Sequence, residues 1–271
     1  MGPIRKGVRS KVANQDPATW DAVADRLAGW IAAQVHGAAQ QGTVIGLSGG
    51  VDSAVVAALT RRAVGDQALA VIMPCHSAAA DVADAQLVAS TLGLATVTVD
   101  LGPTYDLLTG QLDGVHAADR AQPDEASARL ANANLKPRLR MMTLYHFANR
   151  YRLLVVGTGN RSEVHVGYST KYGDAGVDIQ PIANLLKREV RALAAAVGLP
   201  ESIVHRVPSA GLWPGQTDEG EMGLSYDELD TYIATGQARP AVKSQVDRLH
   251  RLSDHKRRVP PVPPEFPLPP V

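Results

Sequence analysis

With 271 residues, 45% of them hydrophobic and 20% charged, the chain has the make-up of an ordinary folded protein and length for a large core. Lys plus Arg and Asp plus Glu both total 27, which argues neither for nor against a nucleic-acid partner; the basic residues are scattered with no local patch, so none is expected. Cys75 is the only cysteine, so an intrachain disulfide and a cysteine-built metal cluster are excluded, and a reducing, cytoplasmic setting is expected.

Residues 1–16 are polar and read as a flexible N-terminal segment; basic residues occur there without the apolar run of a secretory signal. No apolar stretch approaches the ~20 residues of a membrane span, so no membrane partner is expected. Over 17–41, Trp20, Val23, Leu27, Trp30, Ile31 and Val35 recur at helical spacing, which predicts an amphipathic helix with its tryptophans packed. A β-rich run at 43–47 follows, then Ser48-Gly49-Gly50 and a helix over 52–63. Further strands are predicted at 68–73, 95–99 and 153–156, with helices at 81–92 and 137–151, the latter opened by Pro137. Residues 110–135 support only a helix and an excursion from the sheet. The Gly-rich stretch 157–183 reads as interrupted loop, and 185–197 as a helix stopped by Gly198 and Pro200. Residues 208–223 read as a long loop, 225–232 and 239–251 as helices, and 259–271 as a proline-rich tail. Strands alternating with helices predict an α/β fold: a Rossmann-like, doubly wound parallel sheet with helices on both faces, in one domain over 17–258.

The segment Gly46-Leu47-Ser48-Gly49-Gly50-Val51-Asp52-Ser53 joins the first strand to the next helix at the carboxyl edge of the sheet, where open α/β folds bind ligands. Glycines let backbone approach a phosphate, and N–H groups at a helix start point at the anion. Ser48 and Ser53 add hydroxyl donors. Asp52 would repel phosphate unless a cation lay between them, which predicts bound Mg²⁺. A ligand-free βα turn is also rich in small residues. Ser-Gly-Gly-x-Asp-Ser between strand and helix is far more specific, and it is not a Walker loop because no Gly-Lys-Ser/Thr follows.

This octapeptide resembles the signature of the ATP pyrophosphatases, which cleave ATP between its α and β phosphates and form an adenylated intermediate. Within that group, Gly157-Thr158-Gly159-Asn160-Arg161-Ser162-Glu163 followed by Tyr168-Ser169-Thr170-Lys171-Tyr172-Gly173-Asp174 and Asp178 resembles the NAD synthetases. Asn134 with Arg138-Leu139-Arg140-Met141, the stretch from Pro208 to Glu219, and His255-Lys256-Arg257 resemble that family too. The motifs keep the family's order from about residue 20 to 260 and so cover nearly the whole chain.

The resemblance implies that the nicotinate carboxylate of deamido-NAD attacks the α-phosphorus of ATP, pyrophosphate leaves, and ammonia displaces AMP to give NAD. Asp52 and Glu163 are carboxylates suited to hold two Mg²⁺ ions, and Lys187 at a helix start can meet charge building on the leaving group. By resemblance, Thr158 and Ser209 contact the nucleotide. Arg138, Lys171, Asp178, His255 and Lys256 contact deamido-NAD, and Asp174 admits or deprotonates ammonium. The 208–223 loop is expected to act as a lid that keeps water from an acyl adenylate. Two departures, Ile72 before Met73-Pro74 and Gly159-Asn160 in place of an acidic version, leave the adenine contacts unassigned, and His76 reads as a surface residue. No room is seen for an amidase domain, so free ammonia or a separate glutaminase is the expected nitrogen source. The family further implies a homodimer, with helices over 124–151 contributing. A sulfur-transferring relative would need more cysteines than Cys75, and a nucleotide sensor would not need both Asp52 and Glu163.

Overall fold

The computed structural model describes residues 19–115, 124–213 and 215–264. The expected flexible segment 1–16 and the last part of the proline-rich tail lie outside the described residues. α1 (Trp20–Gly37) begins at Thr19, whose hydroxyl accepts the Ala22 N–H, and it buries Ala24, Ala28, Ile31 and Val35. Trp30, assigned to packing by the sequence, stands 41% exposed. With 3.6 residues per turn it lies a quarter-turn and more from the buried stripe that Ile31 joins.

The chain continues as β1 (Gly42–Gly46), α2 (Val51–Val64), β2 (Ala68–Ile72), α3 (Ala79–Leu92), β3 (Ala95–Thr98), α4 (Gly102–Leu112), α5 (Glu125–Ala133), α6 (Leu135–Tyr151) and β4 (Leu153–Val155). Then come α7 (Arg161–Val166), α8 (Lys187–Ala196), α9 (Glu201–Val204), α10 (Asp218–Met222), α11 (Tyr226–Thr235) and α12 (Pro240–Leu252). The four strands are parallel in the order β3-β2-β1-β4. Topology therefore reverses between β1 and β4, and their carboxyl ends open into one crevice, where ligands bind in folds of this kind.

Neighbouring strand residues serve opposite faces. Ile45, Ala70 and Leu154 pack with α1, α2, α3 and α8, whereas Val44, Val71 and Val155 pack with Leu139, Leu144 and Ala148 of α6. β1, β2 and β4 are buried along nearly their whole length, as a covered parallel sheet requires, whereas the edge strand β3 is largely exposed. A third, smaller core of Val166, Met222, Leu224, Tyr226, Leu229, Val242 and Val246 joins α7 to α10, α11 and α12. It matters because it carries the second wall of the crevice.

Three elements differ from expectation. In 157–183 the expected interruption of the loop is α7, and the unexpected part is the parallel bridge of Ile179 to Val156, which extends the sheet beyond β4. The 208–223 segment ends in α10, where the Thr217 hydroxyl caps Gly220 N–H and Asp218, Glu219 and Glu221 fill the first turn. Those acids suggested loop, but carboxylates favour a helix start. α4 is a helix that the sequence pattern does not predict, although Pro103 near its start is a normal helix opener. α5 supplies the helix expected within 110–135, and residues 116–123 of the excursion lie outside the described residues.

Candidate active site

The first wall of the crevice is the turn from β1 into α2. Gly50 serves as N-cap of α2 without a side-chain cap, so the first-turn N–H groups keep no protein side-chain acceptor. The turn is braced from within: Ser53 Oγ donates to Gly50 O at 3.0 Å and accepts from Ser48 N at 3.2 Å. Ser48 Oγ lies 3.0 Å from Ser53 Oγ and accepts from Gly50 N at 3.3 Å. Polar backbone aimed outward from a braced turn is the physical form of an anion site.

The second wall starts where β4 ends. Asn160 caps α7 through a reciprocal box: its side chain accepts from Glu163 N at 3.0 Å, and Glu163 Oε2 accepts from Asn160 N at 3.2 Å. The Asn160 amide then crosses the crevice and donates to Asp52 Oδ1 at 2.9 Å. From the start of α8, Lys187 reaches between the two walls. Its Nζ bonds Asp52 Oδ2 and lies 3.2 Å from Glu163 Oε1, with the side chain only 2% exposed. Asp230 supports that helix start, accepting from Arg188 N at 2.9 Å and from the Ser162 hydroxyl, which in turn accepts from Lys187 N at 3.2 Å.

Charge is unbalanced here. The Tyr226 hydroxyl has one proton and faces two carboxylates, Asp218 Oδ2 at 2.9 Å and Glu163 Oε1 at 3.2 Å. Asp218 is 4% exposed, and its Oδ1 is buried with no partner among the described residues. Three carboxylates thus surround one ammonium. Burial raises the Glu163 pKa and Asp52 adds to the rise, although Lys187 pulls against it. Burial likewise raises Asp218. For Lys187 burial opposes the charged form, but Asp52 and Glu163 outweigh it and hold the ammonium above its ordinary value.

The rest of the crevice is a cleft of about 650 Å³ that also takes in Thr158, Arg138, Lys171, Asp174, Ser209 and His255. On the α6 side and beside the 167–169 backbone, the basic side chains bond carbonyls instead of acids. Arg138 reaches Lys171 O at 3.4 Å, Arg140 reaches Met73 O at 3.2 Å, and Lys256 reaches Gly167 O at 2.8 Å and Ser169 O at 2.5 Å. Lys171 Nζ sits 3.4 Å from His255 Nδ1. Positive charge on this side has no carboxylate bonded to it in these contacts.

The family model for NAD synthase matches residues 23–260. The chain belongs to the NAD synthase family. An NH(3)-dependent NAD(+) synthetase from Carboxydothermus hydrogenoformans is 46% identical over 244 residues, covering 90% of this chain and 98% of its own. One from Archaeoglobus fulgidus is 44% identical over 250 residues, covering 90% and 96%. Among solved structures, NMN synthetase from Francisella tularensis superposes with a TM-score of 0.83 at 33% identity, covering 90% of this chain and 98% of that one.

In this NAD synthase family chain, Asp52, Glu163 and Lys187, chosen from sequence, meet at one point. Gly46, Leu47, Ser48, Gly50, Val51, Ser53, Thr158, Ser209, Arg138, Lys171, Asp174, His255 and Lys256 line the same cleft. Gly49 and Asp178 are not among the lining residues. Gly49 turns its carbonyl to Arg206, and the Asp178 carboxylate accepts from Val155 N at 2.8 Å and Tyr145 Oη at 2.9 Å. Lys256 spends its donors on the 167–169 backbone. The Asp174 carboxylate accepts from Thr170 N at 2.7 Å, and the Ser209 hydroxyl donates to Gln216 O at 2.8 Å.

The sequence assigned no role to Asn160 or Asp218, which lie within its motifs, and did not point to Tyr226 or Asp230. Asn160-x-x-Glu163 is itself a capping-box pattern that marks a helix start. The others lie 55 or more residues beyond Glu163, and no local pattern ties them to it.

Proposed function

We propose that this chain adenylates the nicotinate carboxylate of deamido-NAD with ATP and amidates it with ammonia, giving NAD, AMP and pyrophosphate. The observation that carries this reading is the convergence of Asp52, Glu163 and Lys187 beside the uncapped start of α2. ATP phosphates lie along 46–53, with Thr158 and Ser209 at the nucleotide. Arg138, Lys171 and His255 receive the phosphates of the second substrate. Asp174, exposed in the cleft, takes up ammonium and removes its proton. The 208–223 segment covers the cleft while the adenylate exists.

The residues fit Mg²⁺. A surplus of carboxylates over cations, together with the unpartnered Asp218 Oδ1, leaves negative charge for a cation to neutralise. No three acidic or imidazole ligands form a preformed cage among the described residues, which suits an ion held by one or two carboxylates and completed by phosphate oxygens and water. Asp52 and Glu163 would hold it, and bound there it would neutralise the triphosphate and the departing pyrophosphate. Lys187 then meets the charge that builds on the leaving group.

A second reading concerns substrate size. The likeness to the Francisella tularensis NMN synthetase favours nicotinate mononucleotide as an alternative acceptor for the same chemistry. The chain works in the cytoplasm as a homodimer; Leu107, Leu112, Leu130 and Met142 on α4, α5 and α6 expose apolar surface that a second copy would cover. The deciding assay mixes protein, ATP, Mg²⁺ and ammonium with either deamido-NAD or nicotinate mononucleotide. Amide product, AMP and pyrophosphate should appear in equal amounts. ADP as product would refute attack at the α-phosphorus, and the ratio of kcat/KM values for the two acceptors decides between them.

A further inference from the structure

Arg206 lines the cleft yet does not offer a free guanidinium to it. It follows α9, at the root of the segment that covers the cleft, and each end of its fork is engaged. Nη1 donates to Asp84 Oδ2 at 2.7 Å and to Gly49 O at 3.1 Å, and Nη2 bonds Asp81 Oδ1. Asp81 and Asp84 lie three apart in α3 and so share one face. The guanidinium therefore joins three pieces of chain: the phosphate turn, α3 and the covering segment.

Gly49 explains how this is possible. Its φ is +80°, and an added Cβ would stand 2.7 Å from Asp81 O, 2.8 Å from Asp84 Cβ and 2.9 Å from Arg206 Nη1. The glycine is needed for the approach of Arg206 and α3 on the far side of the turn. A trans peptide points its C=O and the next N–H in opposite directions. Holding Gly49 O on Arg206 thus sends the Gly50 N–H the other way, to Ser48 Oγ and the cleft side.

We propose that Arg206 is a positioning residue that locks the 49–50 peptide, with its N–H on Ser48 Oγ at the cleft side, and so fixes the shape of the phosphate turn and couples that lock to the covering segment. This rests on the reading that the 46–53 turn receives ATP phosphates. Arg206 acts through the backbone of the turn and does not touch the phosphates itself; Asp81 and Asp84 hold it back from them.

The test uses Arg206→Gln, Arg206→Lys and Asp84→Asn in the full chain, with thermal melting to confirm folding. Loss of charge-assisted bonds of this kind should raise KM for ATP and the inhibition constant of pyrophosphate by roughly ten- to a hundredfold in Arg206→Gln. KM for the carboxylate substrate should stay unchanged. Arg206→Lys, a cation without the fork, should recover only part of the loss. Asp84→Asn loosens the clamp and should weaken ATP in the same direction, with less than additive effect in the double variant. If Arg206 were a direct phosphate ligand, Asp84→Asn would free it and tighten ATP, which overturns the proposal. Hydrogen exchange of the 48–53 amides without nucleotide reads the clamp independently of turnover: it should quicken in Arg206→Gln, and unchanged exchange overturns the proposal. Absence of ATP turnover in the unmodified chain would instead overturn the functional reading.

Discussion

Replacing Lys187 by Met keeps the length of the side chain and removes its charge, leaving Asp52 and Glu163 facing each other. Their side chains are 17% and 16% exposed, so water screens them little. Removing one member of a buried ion pair costs about 3–5 kcal/mol because the other is left uncompensated. Here the carboxylates retain bonds from Asn160 and Tyr226, and burial already favours a protonated Glu163. The lower end of that range, about 3 kcal/mol, is therefore expected. For a chain of this size that is a fall in Tm of roughly 6–12 °C. Mg²⁺ supplies the distinguishing arm. In the unmodified chain Lys187 stands between the carboxylates, so Mg²⁺ without nucleotide should shift Tm little. In Lys187→Met the ion can take that place, and millimolar Mg²⁺ should restore much of the lost stability. Turnover should remain lower by about 10²–10³-fold even so, since the charge on the leaving group loses its partner. Melting by calorimetry with and without Mg²⁺, alongside kcat, tests this. A variant that melts with the unmodified protein, or turns over within about threefold of it, would refute the reasoning.

Asn160→Ala should cost about 1–2 kcal/mol through the lost cap of α7, and should lower kcat by releasing Asp52 and Glu163 from their common brace; denaturant unfolding and steady-state kinetics measure both. Gly167→Ala should be more damaging than an ordinary surface change: at φ +68° its Cβ would lie 2.1 Å from Ser253 Cβ, so Ser253 and the Lys256 that bonds Gly167 O must shift, seen as a lower Tm and a higher KM for the carboxylate substrate. His165 makes acid stability predictable. Burial, with His250 stacked on it and Arg257 near, lowers its pKa to about 4. The unfolded chain binds this proton first as pH falls, so the stabilising contribution is complete above about 6.5 and lost between about 6.5 and 4. It is at most about 3 kcal/mol, and His165→Phe should flatten that limb of the stability–pH curve; an unchanged limb would contradict the assignment.

The sheet and its flanking helices were legible because the strands are short β-rich runs and several helices, α3, α8 and α11, are followed by a stop signal at Gly93, Gly198 or Gly236. The four strands and their parallel order need only β/α alternation and the covered faces it implies. What escaped was short or non-local. α10 has five residues and a composition that also suits loop, and its place is decided by Met222 entering the third core. The same limit applies at the site. Asp52, Glu163 and Lys187 sit in recognisable local patterns, whereas Asp218 and Tyr226 gain meaning only when α10 and α11 fold back over α7. Gly49 was legible as a glycine the turn requires, but its partner Arg206 lies 157 residues away in the chain.

The cleft separates unsatisfied charge of the two signs. Around Lys187, Asp52, Glu163 and Asp218 exceed the cations available, and one of their oxygens has no partner among the described residues. Around α6 and the 167–174 backbone, Arg138, Arg140 and Lys256 are bonded to carbonyls, which satisfy donors without cancelling charge. A protein built only for stability would gain by pairing these sets, since a buried uncompensated charge costs more than a paired one. Chain geometry keeps them apart: the acids are fixed by α2, α7 and α10, and the bases by α6 and the turn after α12. A ligand that brings metal cations to one end and phosphate anions to the other relieves both imbalances together. Reversing Arg138 to Glu should therefore weaken the carboxylate substrate and leave Mg²⁺–ATP binding nearly unaltered, whereas Glu163→Gln should do the opposite. Calorimetric titration of each variant with each ligand checks this, and equal losses for both ligands in both variants would show that the two ends do not divide the work.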